Sequence, residues 1–135
     1  MKLASVLMVA FGLGMVAAGG CGSDDGGAVG RGAALVETTQ CRSCHGPDLA
    51  GSAQPLPGSM VYSSNITPDD ATGIGLWTDQ EIDDLLRLGK SDTGAAVCPP
   101  MPVYDSFSDA QVGDIIAYLR SVPAVSRQVA QSTCH

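Results

Sequence analysis

Two thiols and an imidazole lie within five consecutive residues, Cys41-Arg42-Ser43-Cys44-His45. Two cysteines with two residues between them, followed at once by histidine, have the spacing of a c-type haem attachment site. Each thiol can add to one vinyl group of the haem, and tethering both fixes the porphyrin against the backbone. The adjacent His45 is then held under the ring, where its neutral imidazole can ligate the iron. The other ring nitrogen of such a ligand usually donates to a backbone carbonyl. The same cysteine pair could serve as a redox dithiol or as half of a zinc site. A thioredoxin-like dithiol wants a strand-to-helix βαβ setting, and the sequence offers none. Zinc needs four ligands, and no second Cys-x-x-Cys or His pair follows. Covalent haem is the reading these residues favour.

The elements that must hold such a group come from a chain of 135 residues, enough for one domain. Beyond the first twenty residues the aromatic supply is Tyr62, Trp77, Tyr104, Phe107 and Tyr118, thin for a core. A covalently held porphyrin would add the large apolar surface that the side chains lack. The formal charge is -7, and loss of residues 1–20 would remove Lys2 and leave -8. With no basic stripe and no aromatic-basic interleaving, nucleic acid is excluded as a partner. An acidic carrier favours basic docking surfaces on the proteins it meets.

Met1-Lys2 and the apolar run from Leu3 to Gly20 read as a secretory signal over residues 1–20. A transmembrane anchor is the rival, but the run of 18 residues contains Gly12, Gly14, Gly19 and Gly20. That is marginal for the roughly 20 apolar residues needed to span a bilayer. Ala18-Gly19-Gly20-Cys21 resembles a bacterial lipobox, in which small residues precede a cysteine that is lipidated and becomes the new N-terminus. Ala18 departs from the usual Leu at its position. Residues 21–30, opening with Gly22-Ser23-Asp24-Asp25-Gly26-Gly27, then form a flexible polar tether.

The domain proper is expected over residues 31–123, with a C-terminal tail over 124–135. A short Ala-rich helix from Arg31 to Thr39 runs into the cysteine motif. Asp48 to Gly75 is loop, rich in Pro and Gly. Thr78-Asp79-Gln80-Glu81 is a capping box that starts a helix through Ile82, Leu85, Leu86 and Leu88, and Gly89 stops it. Its acidic cluster of Asp79, Glu81, Asp83 and Asp84 reads as a solvated face rather than a metal site. Lys90 to Tyr104 is loop again and holds Cys98-Pro99-Pro100-Met101-Pro102. A second capping box, Ser108-Asp109-Ala110-Gln111, opens a last helix whose Val112, Ile115, Ile116 and Leu119 form one apolar stripe. Pro123 ends it. No strand pattern or internal repeat stands out, so the fold class is all-α.

Of five cysteines, one is assigned to lipid and two to haem, which leaves Cys98 and Cys134. In an oxidising compartment an even remainder predicts a disulfide, and a tail of this length can reach back to the loop before Met101. Two free thiols, or Cys98 as a thiolate ligand to the iron, are the alternatives.

Taken together, these residues resemble the single-haem class I cytochrome c domain, and in particular the cytochrome subunits of membrane-bound alcohol and gluconate dehydrogenases. Four stretches carry the resemblance: Arg31 to Gly46; Ser64-Asn65-Ile66-Thr67-Pro68-Asp69; Thr72 to Asp79; and Met101-Pro102-Val103-Tyr104 leading into Ile116-Ala117-Tyr118-Leu119-Arg120. Those subunits commonly carry several haem motifs, whereas this sequence has one. The resemblance implies a cytochrome c-like fold of a few short helices and long loops, with the first and last helices crossing beside one covalent haem. It implies His45 as proximal iron ligand and Met101 as distal ligand. Met60 and His135 are the competing distal ligands, and a buried core methionine is the ordinary reading of Met101. One of Pro55 and Pro57 is implied as the source of the carbonyl that orients His45. Trp77 and Asn65 match positions near the haem propionates, with core packing as the alternative for each.

The expected function is one-electron transfer on the periplasmic side of a bacterial envelope, from a lipid-anchored domain. Expected partners are redox proteins: a dehydrogenase, an oxidase or another cytochrome. With both axial positions filled the chain would not itself be a catalyst. The competing class is a haem-dependent enzyme or gas sensor with a labile axial site, and a third is a zinc-bound interaction module.

Overall fold

The computed structural model describes residues 25–134. The expected signal peptide, the lipidated Cys21 and the candidate ligand His135 lie outside the described residues. Among the described residues four helices form: α1 (Asp25–Thr38), α2 (Cys41–His45), α3 (Asp79–Leu88) and α4 (Asp109–Ser121). Both capping boxes are made. The Thr78 hydroxyl accepts from the Glu81 amide while the Glu81 carboxylate accepts from the Thr78 amide, and Ser108 and Gln111 repeat the exchange on α4. Gly89 closes α3 with a φ of 64°. No strand forms among the described residues, where one isolated bridge pairs Lys90 with Ala96.

The apolar stripe of α4 is the centre of the core. Val112, Ile115, Ile116 and Leu119 are buried against Val36 of α1, Ile82 and Leu86 of α3, and Leu49 and Ile74 from the long loop. α1 and α4 cross at Gly32. A Cβ there would lie 1.9 Å from the Asp114 carbonyl oxygen and 2.8 Å from Cβ of Tyr118, so only glycine permits the approach. Beside the crossing Arg31 donates twice to the Asp114 carboxylate, at 2.7 and 2.8 Å.

α1 begins at Asp25, six residues before the expected Arg31, so residues 25–30 are helical rather than tether. Gly26, Gly27 and Gly30 argue against helix by propensity. A helix nucleated by packing on α4 nevertheless gains one hydrogen bond for each residue it adds, which extends it through them. The tail from Val122 to Cys134 has no regular secondary structure. It runs back over the loop between α2 and α3, held by side-chain and backbone hydrogen bonds.

Candidate haem-binding site

The cysteine motif is a helix of its own. Gln40 adopts the left-handed conformation, φ 57° and ψ 34°, and breaks the chain between α1 and α2. The single turn is closed by the Ser43 amide and hydroxyl, both donating to the Gln40 carbonyl, and by the Gly46 amide donating to Arg42. Residues three apart on a helix share a face, which sets the Cys41 and Cys44 thiols on one side. Cys41 is half-buried, Cys44 is exposed, and neither is in a disulfide. The Thr39 hydroxyl lies 3.2 Å from the Cys41 sulfur.

Arg42, between the cysteines, anchors the turn. Its Nε donates to Glu37 of α1 at 2.8 Å. The same guanidinium donates to the Pro47 carbonyl and to the Tyr118 hydroxyl of α4, and it lies 6.0 Å from the centre of the Tyr118 ring. One side chain thus fixes α2 to both crossing helices. The motif treats Arg42 as a spacer; its place within the motif, five residues after Glu37, is the signal the sequence holds for this role.

His45 is 9% exposed, and its Nδ1 lies 2.8 Å from the Ser64 carbonyl oxygen. A carbonyl only accepts, so Nδ1 carries the hydrogen and Nε2 is left with its lone pair free. Burial pushes the imidazole pKa down, against the smaller opposing pull of the Ser64 carbonyl. The ring is therefore neutral near neutral pH, the form that ligates a metal.

The orienting carbonyl belongs to Ser64, which corrects the expectation of Pro55 or Pro57. Backbone hydrogen bonds from Gly51 to His45, Ser52 to Ser63 and Ile66 to Leu49, at 2.9–3.0 Å, lay residues 63–66 alongside 49–52. The stretch around the prolines instead closes on itself through Leu56 and Val61 at 2.7 Å, and Pro57 is exposed. Gly51 makes the pairing possible: its φ is +80°, and a Cβ would lie 2.3 Å from the Ser63 carbonyl oxygen.

Asn65 is 3% exposed and fully committed inside the protein. Its Nδ2 donates to the Thr72 hydroxyl at 2.9 Å and to the Val125 carbonyl at 2.7 Å. Its Oδ1 accepts from the amide and the hydroxyl of Thr67. Both amide hydrogens are used, so none is left for a propionate, and Asn65 acts as a structural tie between loop and tail. Trp77 is half-buried against the core cluster, in keeping with the packing alternative. Its carbonyl, with that of Ile74, accepts from Arg120 of α4.

Met101 is half-buried, in a loop whose cysteine is bonded to the tail: Cys98 and Cys134 form the expected disulfide, with their Cα atoms 5.4 Å apart. At the far end of the loop the Tyr104 amide donates to the Leu86 carbonyl at 2.7 Å, and its ring stacks on Phe107 with centroids 5.0 Å apart. Burial raises the Tyr104 hydroxyl pKa, and the nearby Cys41 thiol pushes the same way while Thr39 opposes it. Tyr104, at the end of the Met101 loop, therefore lies beside the cysteine motif. Met60, the competing methionine, is exposed, and its carbonyl accepts from the Thr133 amide at 3.2 Å.

This donor set fits a covalently attached haem. Two unpaired thiols on one helical turn can form the two thioether bonds, and a buried neutral imidazole with a free Nε2 can ligate iron. A half-buried thioether, Met101, is carried on the loop that ends at Tyr104 beside that helix. Leu88 and Val103 are both exposed, and Val103 lies beside Gly89, the residue after Leu88; they offer apolar surface of the kind a porphyrin packs against.

Residues 29–123 match the cytochrome c family model. A component of the nicotinate dehydrogenase of Pseudomonas putida is 33% identical over 117 residues, covering 81% of this chain and 10% of that protein. The cytochrome c subunit of the quinone alcohol dehydrogenase of Gluconobacter oxydans is 35% identical over 124 residues, covering 87% and 26%. The fructose dehydrogenase cytochrome subunit of Gluconobacter japonicus is 35% identical over 99 residues, covering 67% and 20%. The chain thus spans between a tenth and about a quarter of the length of these relatives. The family match takes in α2, the Met101 loop and all of α4, and on it the chain belongs to the cytochrome c family, whose members carry a covalent haem c.

Proposed function

We propose that the chain is a mono-haem carrier of single electrons, lipid-anchored through Cys21 on the periplasmic side of a bacterial envelope. A haem c held here supplies one reversible electron, with iron passing between its ferrous and ferric states. The observation that carries the reading is the buried, neutral His45, oriented by the Ser64 carbonyl on the turn that presents Cys41 and Cys44. His45 is assigned as the proximal ligand and Met101 as the distal one. With His45 and Met101 both holding the iron, substrate would have no place on it, which favours a carrier over an enzyme or sensor. The Cys98–Cys134 disulfide suits an oxidising compartment. Relatives named as cytochrome subunits of alcohol and fructose dehydrogenases support a dehydrogenase as electron donor. An oxidase or another cytochrome is the proposed acceptor.

Carbon monoxide tests the axial assignment. The ferrous holoprotein should bind it slowly, and Met101→Ala should bind it readily with the haem still covalent after acid-acetone extraction. Rapid binding by the parent would reject the six-coordinate carrier in favour of the enzyme or sensor. The anchor is tested by mass spectrometry of the mature protein, which should begin at an acylated Cys21. An N-terminus at another residue would remove the anchor and leave the carrier reading intact.

A further inference from the structure

The tail after α4 lacks an apolar period, yet it is fastened along its length. Val125 accepts from Asn65 and donates to the Thr67 hydroxyl, at 2.7 and 3.1 Å. Arg127 donates to both Asp48 oxygens at 3.1 and 2.8 Å, and to the Gly51 carbonyl at 3.2 Å. The Ser132 hydroxyl accepts from the Tyr62 amide at 2.8 Å and donates to the Tyr62 carbonyl at 3.0 Å. Cys134 is bonded to Cys98.

These anchor points fall on two structures that matter for the iron. Gly51 lies in the paired segments that aim the Ser64 carbonyl at His45, and Tyr62 immediately precedes the second of them. Cys98 opens the loop of Met101. That loop is short of hydrogen-bond donors, because Pro99, Pro100 and Pro102 have no amide hydrogen. The Met101 amide donates back to Cys98 itself, at 3.1 Å. A covalent tie at Cys98 therefore supplies a restraint that backbone donors in the loop cannot, and the Met101 amide relays it.

We propose that residues 124–134 are a positioning strap: Ser132 and Cys134 hold, through Tyr62 and Cys98, the backbone supports of both axial ligands in one frame. The inference rests on the reading of Met101 as distal ligand. By restraining the loop, the strap lowers the fraction of molecules in which Met101 has moved away. An external ligand competes only for that fraction, so its apparent affinity reports the strap directly.

The test is imidazole binding to the ferric full-length holoprotein, with the far-red thioether-to-iron charge-transfer band as a second readout. Cys98→Ser/Cys134→Ser should keep covalent haem and the band but bind imidazole about tenfold more tightly, within the usual range for coupled sites. Ser132→Ala keeps the disulfide and should shift affinity in the same direction by about threefold, which preserves the test if the double variant fails to mature. Met101→Ala should lose the band and bind imidazole most tightly. A merely structural tail would lower the melting temperature of the strap variants without moving imidazole affinity, and parent-like affinity in both would overturn the strap. If Met101→Ala kept the band, the ligand assignment itself would fall, and the strap with it.

Discussion

His45 depends on neighbours that contribute only backbone. Ser64 lends it a carbonyl, and Gly51 lends the space that lets residues 63–66 approach. An alanine at position 51 would meet the Ser63 oxygen at 2.3 Å and would hold an L-residue at a φ of +80°. Strain and clash together should cost about 2–4 kcal/mol of stability. The chemical consequence separates this from ordinary damage. A hydrogen bond donated by Nδ1 pushes electron density toward Nε2 and favours the ferric state. Weakening it should raise the midpoint potential of Gly51→Ala holoprotein in a redox titration. A lowered melting temperature with an unchanged potential would show that Ser64 does not tune the ligand. At this scale Cys41, Cys44 and His45 were legible in the sequence because covalent spacing is a local property. Ser64 was not, because a carbonyl belongs to every residue and its aim is set by pairing across the loop.

Elements were legible where a helix announces its own ends. Thr78 with Glu81, and Ser108 with Gln111, start α3 and α4 where the capping boxes predict, and Gly89 and Pro123 mark their limits. The core stripe of α4 was equally plain, since Val112, Ile115, Ile116 and Leu119 recur at helical spacing. The start of α1 was hidden because its first turns are glycine-rich, and their helical state follows from extension of a helix nucleated further on, where Gly32 meets α4, rather than from propensity. The order of the tail was hidden for a related reason. It is held by polar side chains, Asn65, Thr67, Thr72, Arg127 and Ser132, that leave no periodic trace. Cysteine arithmetic found its covalent end, and nothing in the sequence pointed to the fastenings before it. Asn65 shows the limit of resemblance. Its position matches the family, but all its hydrogen-bonding capacity is spent tying the loop to the tail.

For the molecule as a whole, the pattern of paired carboxylates fixes the response to acid. Asp48 is held below the usual carboxylate range by the Arg127 guanidinium, Asp69 by the Thr72 hydroxyl, Glu81 by the Thr78 amide and Asp114 by the Arg31 guanidinium. A depressed pKa means that the folded protein binds fewer protons than the unfolded chain. The stabilisation is therefore complete above the unfolded values, about 3.9 for Asp and 4.3 for Glu, and is lost as pH falls through the lower folded ones. The net charge of -7 works against this, because protonation relieves self-repulsion. At physiological salt that long-range term is screened over roughly 8 Å, while contacts such as Arg127 to Asp48 at 2.8 Å keep their direct hydrogen bonds. The paired groups should win, so the melting temperature of the holoprotein should hold from neutrality to about pH 5 and fall below about pH 4. Asp48→Asn should melt lower at neutral pH and lose less on acidification, since one titrating pair is gone. An acid loss as large as the parent's would show that Asp48 and Arg127 do not hold the tail to the loop in solution.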